Sequence, residues 1–309
     1  MYGIKLINKS VLIGLLTFAT LSSFAKETYY GKQFFQAWPA EEVTFAELHS
    51  PETFFNIDSK NSLFTTLRTL VHKILSGGHI INRNDFDTIV EDCDVSSNPN
   101  CIQHRALEYK VARTEMFGNV FLEQSPDRSY KIKSVYCNKY YSENDFPANH
   151  GPGPGLIPHH SILNAEHTWP QSRFTDQDKD YQKSDLNILF PVESNVNSTR
   201  SNHPFGEVTV VTSEPCPGAR LGKHADSGNA LIFEPPNSHK GNAARAMFYF
   251  AVRYGTSIDP VQEKILRRWH KADPVDAMER ARHEAVFEIQ HVRNPFIDFP
   301  ELADKFSDF

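Results

Sequence analysis

Two short strings hold the residues best suited to chemistry. In Ile162-Leu163-Asn164-Ala165-Glu166-His167-Thr168-Trp169-Pro170-Gln171-Ser172 a carboxylate stands beside an imidazole. In the second, Ser184 to Asn202, Asn197 and Arg200 are three positions apart and share a face if the segment is helical. An imidazole with an ordinary pKa of about 6.5 is suited to taking a proton from water near neutral pH. Carboxylate and amide oxygens are hard donors of the kind Mg2+ accepts, with waters and substrate oxygens completing the shell. Such groups suit metal-assisted hydrolysis of a phosphodiester, which needs an activated water, a counter-charge for the phosphoryl oxygens and help for the leaving oxygen.

Those side chains need elements to hold them. Ile162 to Glu166 reads as a short strand, closed off where Pro170 cannot donate to a ladder. Neighbours on a strand face opposite ways, so Glu166 and His167 can flank a site at the strand end but not share a face. The second string reads as a strand over Leu186 to Val192, a cap at Ser194 and a short helix with Asn197 and Arg200. Upstream, Tyr29 to Phe121 reads as helical scaffold: Leu63, Leu67, Leu70, Val71 and Ile74 recur at helical spacing, as do Leu107, Val111 and Met116. From about Tyr130 to Val211 the pattern is short strands and loops, with a Gly- and Pro-rich loop over Gly151 to Pro158. Helices return after that, with starts at Asp259-Pro260 and Asp273-Pro274. In the last helix, Met278, Ala281, Ala285, Ile289 and Val292 form a stripe expected to face the core. No long polar linker interrupts the chain, so the expectation is one α+β domain over 26–309, mostly helical, with short strands around the site.

At 309 residues with 39% hydrophobic content, the chain can bury a substantial core and is not disordered. A formal charge of -6 argues against a protein that coats nucleic acid, a mode that relies on many Lys and Arg contacts to phosphate. Residues 1–25 read as an export signal: Lys5 and Lys9, an apolar stretch from Val11 to about Phe24, and small residues before a cleavage point after Ala25. No later apolar run is long enough to span a bilayer, so no stable membrane association is expected once the leader is gone. Export makes Cys93, Cys101, Cys137 and Cys216 candidates for two disulfides. Of the connectivities open to them, the turn-rich Asp94 to Asn100 favours Cys93 with Cys101 and Cys137 with Cys216.

The segments NAEHTWPQSRF, SDLNILFPVESNVNSTRSNHPFGEV and VFEIQHVRNPFIDFPE, with KVARTEMFG and VYCN, resemble the motifs of the bacterial endonuclease I family. These are periplasmic or secreted nucleases of the ββα-metal, or His-Me finger, class. The resemblance touches most of the chain from Glu108 to Phe299. It implies a ββα-metal finger and cleavage of DNA and RNA with little sequence preference; separately, a monomer is expected. By position it implies His167 as general base and one Mg2+ on Glu166 and Asn197, with Mn2+ or Ca2+ as substitutes. One carboxylate against a divalent ion leaves a locally positive site, which answers the objection raised by the acidic chain. Arg200, Arg173 and Lys183 are candidates for substrate phosphate. Trp169 is expected in the core, and Asp185 as a structural acceptor. Two departures stand out: His291 takes the place of a usual glycine, and the Gly151 to His160 loop is longer than expected. Two other classes are weaker. A zinc hydrolase is suggested by His159-His160, but the string starting at His283-Glu284 lacks the second histidine of a HExxH helix. A non-catalytic module binding nucleic acid or a partner would lack the base or a ligand, and both are present.

Overall fold

The computed structural model describes residues 28–37, 57–83, 85–224 and 230–309, so the expected signal over 1–25 lies outside the described residues. Two compact units meet in sequence between Gln103 and His104. In the first, helices α1 (Gly31–Ala37) and α2 (Ile57–Ser76) precede three strands, β1 (Gly78–Ile80), β2 (Thr88–Val90) and β3 (Cys101–Gln103). They form an antiparallel sheet in the order β2-β1-β3. Leu67, Val71 and Ile74 are buried as the spacing predicts. The sheet corrects the purely helical reading of this zone: strands of three residues are too short to show alternation. Cys93 and Cys101 are bridged across the turn between them, with Cα atoms 5.8 Å apart. No described helix is long and apolar enough to cross a membrane.

The second unit is α+β. Helix α3 (Tyr109–Glu115) runs into a π-helical turn over Met116–Val120. Strands β4 (Leu122–Gln124), β5 (Tyr130–Lys133) and β6 (Tyr140–Ser142) make a meander. Then β7 (Leu163–His167), helix α4 (Lys179–Ser184), β8 (Leu189–Glu193) and helix α5 (Ser194–Arg200) follow. β7 and β8 pair antiparallel, Glu166 opposite Phe190 and His167 opposite Leu189, and α5 packs on both strands. This is the β-β-α unit expected around the site. A third small sheet, β9 (Val210–Cys216), β10 (Ala219–Lys223) and β11 (Ile232–Glu234), leads to helices α6 (Asn237–Arg253), α7 (Pro260–Ala272), α8 (Ala277–Gln290) and α9 (Pro295–Asp298). Met116, Phe117, Leu163, Ala165, Leu186, Leu189 and Val286 form a core behind the β7–β8 ribbon. Cys137 is bridged to Cys216, so both bridges follow the favoured pairing.

Several local expectations are displaced. The second strand starts at Leu189, not Leu186, because residues 185–188 turn, with Ile188 N bonded to Asp185 O. Ser194 is the first helical residue, and its hydroxyl donates to His160 O instead of capping. Asp259 caps α7 as expected, accepting from Val261 N and Gln262 N. Asp273 does not start α8; it ends α7 and accepts from Gly241 N at 2.8 Å, while Asp276 caps α8. The α8 stripe departs in part: Ile289 packs on the core and Val292, just past the helix, is buried, but Met278 and Ala281 are exposed. Met278 is 58% exposed, and the buried positions are Glu279, Arg282, His283, Val286 and Gln290. Polar side chains take that face because each has a partner there: Glu279 binds Arg245, Arg282 binds Leu186 O, His283 contacts Asp298, and Gln290 bonds Leu186 N and Ser184 O.

Candidate active site

Glu166 and His167 close strand β7, and both border one groove with Gln171, Ser172, Asn197 and Asn202. Opposite-facing neighbours meet in a single site because the strand ends there and the chain turns at Thr168 and Trp169.

Glu166 is buried, and its Oε1 carries two partners: the Tyr136 hydroxyl at 2.7 Å and Arg200 Nη1 at 3.1 Å. Burial raises its pKa, while Arg200 and the Tyr136 hydrogen bond pull it down. Tyr136 reaches Glu166 because Val135 N donates to Pro191 O at 3.0 Å, which seats the chain beside the ribbon, and the next residue is bridged to Cys216. No described residue bonds Oε2. Asn197 is half-buried on α5 and donates its Nδ2 to Ala165 O at 3.3 Å, which leaves Oδ1 without a partner among the described residues. Two unclaimed hard oxygens thus border one groove, a donor set that fits a divalent cation with water completing its shell.

His167 is buried, and its Nε2 lies 2.9 Å from Lys183 O. A carbonyl only accepts, so the proton sits on Nε2 and Nδ1 keeps its lone pair. Burial lowers the imidazole pKa to about 4, with the charges of Lys183 and Arg200 lowering it further against the pull of the Lys183 carbonyl. The ring is therefore neutral at pH 7 and able to accept a proton. The exposed Gln171 amide stands 3.2 Å from Nδ1, where an attacking water would bind.

The other expected residues are spread out. Arg200 is buried: beyond Glu166, it donates to the carbonyls of His167 and Thr168, and it lies 4.6 Å from the Phe205 ring centre. Its guanidinium therefore braces the carboxylate and the strand end. Arg173 is exposed and donates to Asn202 O at the groove rim. The Lys183 ammonium lies 5.1 Å over the Tyr109 ring, so the direct contact of this residue with His167 is through its backbone carbonyl. Trp169 is buried and stacks on Phe250, and Asp185 accepts from Tyr249, Tyr254 and Asn187, both as expected. Tyr136 and Gln171 join the site without a motif of their own to announce them. Tyr136 sits in the VYCN segment, beside a bridged cysteine, which was the available signal.

Residues 99–301 match the model of the family described as Endonuclease I. Over 260 residues the chain is 29% identical to the extracellular ribonuclease of Bacillus subtilis (strain 168), covering 78% of this chain and 73% of that one. It is 35% identical over 160 residues to the extracellular ribonuclease of Bacillus amyloliquefaciens, covering 46% of this chain and 53% of that one. Similarity to the periplasmic deoxyribonuclease of Aeromonas hydrophila is 27% over 116 residues, 38% of this chain and 48% of that protein. The chain thus spans about half the length of the last two.

Proposed function

Because the chain belongs to the endonuclease I family, we propose that it is an exported endonuclease that hydrolyses phosphodiester bonds in DNA and RNA with little sequence preference. In this reading His167 is the general base and Glu166 and Asn197 hold one divalent cation, Mg2+ in the first instance. The observation that carries it is the pairing of two unclaimed oxygens, Glu166 Oε2 and Asn197 Oδ1, with an imidazole whose Nδ1 is free of a proton. When bound, such a cation supplies positive charge for the phosphoryl oxygens and the leaving oxygen. Lys183 O holds Nε2–H, so Nδ1 is the atom that takes the proton from water. The Gln171 amide must give way to that water. Tyr136 and Arg200 occupy Oε1 and so hold Oε2 toward the groove. Arg200 is a positioning residue here, and Arg173 at the rim is the better placed of the candidates for substrate phosphate.

Relatives named as ribonucleases and deoxyribonucleases support a substrate range across both nucleic acids. Their names, extracellular and periplasmic, together with the two disulfides, support export to an oxidising compartment. The test is cleavage of plasmid DNA and of structured RNA with Mg2+ and with chelator. Shortening of both substrates, abolished by chelator, is expected. A mobility shift without shortening, or cleavage that persists in chelator, contradicts the reading.

A further inference from the structure

The N-terminal part of the helix α8 stripe, Met278 and Ala281, stays out of the core and lines a cavity of about 490 Å3. Phe121, Phe190 and the start of α6, with Ser238 and His239, complete much of the rest. This volume, mostly apolar with a few polar groups, is in the range of small-molecule sites.

The polar groups are unusually unmatched. Arg282 is 7% exposed, and its guanidinium lies 4.1 Å from the Phe190 ring centre and 5.5 Å from that of Phe121. Nη2 donates to Leu186 O, Nε has no partner, and no carboxylate forms an ion pair with Arg282 among the described residues. Burial pushes its pKa down to about 10, opposed by the more distant Glu279 and Asp185. Both of those carboxylates are committed, Glu279 to Arg245 and Asp185 to Tyr249 and Tyr254. His239 is 2% exposed, packs edge-on against Phe190 and has an unpartnered Nε2. At the rim, Lys133 has no acidic partner among the described residues. The rim acids are engaged: Glu123 pairs with Lys131 and accepts from Tyr140, and Asp276 caps α8. A buried cation without a counter-ion is costly, and an anion seated beside it removes much of that cost.

We propose that this cavity binds a small organic anion carrying a flat ring, its charged end on Arg282 and Lys133 and its ring between the Phe121 side and the α8 stripe. An inorganic anion would answer the charge but leave most of the apolar volume empty. The shared chemistry has two sources, a nucleoside monophosphate and an aryl carboxylate.

The test is calorimetry on the oxidised full chain in chelator, so that a metal-bound phosphate at the groove does not contribute. The probes are adenosine 5′-monophosphate and 2-naphthoate, with adenosine and inorganic phosphate as partial ligands. Arg282→Met removes the charge at similar length; Ala281→Trp fills the cavity from an exposed position and keeps the test open if the first variant fails to fold. One-to-one binding of at least one ring anion is expected, weakened about tenfold or more by each folded variant, with adenosine and phosphate also weaker by that factor. Binding of the nucleotide alone assigns the phosphomonoester source, and of naphthoate alone the carboxylate source. The proposal is overturned if neither binds, if Ala281→Trp leaves binding unchanged, or if phosphate binds as well as the nucleotide.

Discussion

Tyr136 and Arg200 share one oxygen of Glu166, and that division decides what each residue near the groove contributes. Tyr136→Phe removes only a hydroxyl, so the expected effect is a metal affinity roughly tenfold or more weaker, with the fold intact, because partners that orient a ligand act on this scale. Calorimetric titration with Mn2+ checks it, and unchanged affinity would count against Oε2 as the liganding atom. Arg200→Met strands a buried carboxylate and three backbone contacts, so a loss of about 3–5 kcal/mol in stability is expected by chemical denaturation. If Arg200 were instead a phosphate contact, the variant would melt normally and show only a raised KM. Glu166, His167 and Asn197 were legible as candidates in the sequence because their types and their flanking motifs point to one chemistry, and they border one groove. Arg200's bracing role was not. Helical spacing says which residues share a face, and Arg200 does lie on the Asn197 helix, but spacing does not say how deep a face is buried.

Helix α8 shows why periodicity misleads at the level of elements. Of its stripe of Met278, Ala281, Ala285, Ile289 and Val292, only the last two reach the core, and the flanking, largely polar face with Val286 is buried because Arg245, Asp298 and backbone groups of residues 184–186 offer partners from distant sequence. Such partners are invisible to any local pattern. The end of the helix explains the departure at His291, which adopts φ 58° and ψ 32°, a left-handed conformation suited to glycine. His291→Gly is therefore expected to raise stability by up to about 1 kcal/mol, read as a higher Tm. A lower Tm would show that the half-buried ring contributes more by packing than the backbone loses. Just beyond, Asp298 ties α9 back to α8. Burial alone would raise its carboxyl, but His283 and the hydrogen-bonded Arg293 outweigh that and hold it well below the usual range. A folded pKa below the unfolded value means stability present above about pH 4 and lost as the pH falls further. Asp298→Asn should flatten the acid limb of a stability–pH curve and lower the plateau above it. An unchanged acid limb would contradict this.

For the whole molecule, the bridge between Cys137 and Cys216 spans a sequence separation of 79 and encloses Glu166, His167 and Asn197. On chain-entropy grounds a loop of that size stabilises the fold by about 4 kcal/mol, a large share of what a typical domain has. Reduced enzyme, and a Cys137→Ser, Cys216→Ser variant, should melt at lower temperature and lose activity, so that cleavage depends on oxidation. Full activity with an unchanged Tm in both would end that link and leave the catalytic assignment standing. The α+β class, the two-strand-and-helix unit and both cysteine pairs were readable from motif and composition.

The central claim is the division of labour at the groove, and the direct measurement is metal binding and plasmid cleavage by His167→Ala beside Glu166→Gln and Asn197→Ala. His167→Ala should bind metal with near-normal affinity while turnover falls by about 100-fold or more, the scale of general-base catalysis. Glu166→Gln and Asn197→Ala should lose affinity. Equal loss of metal in all three, or near-normal cleavage by His167→Ala, would contradict the account.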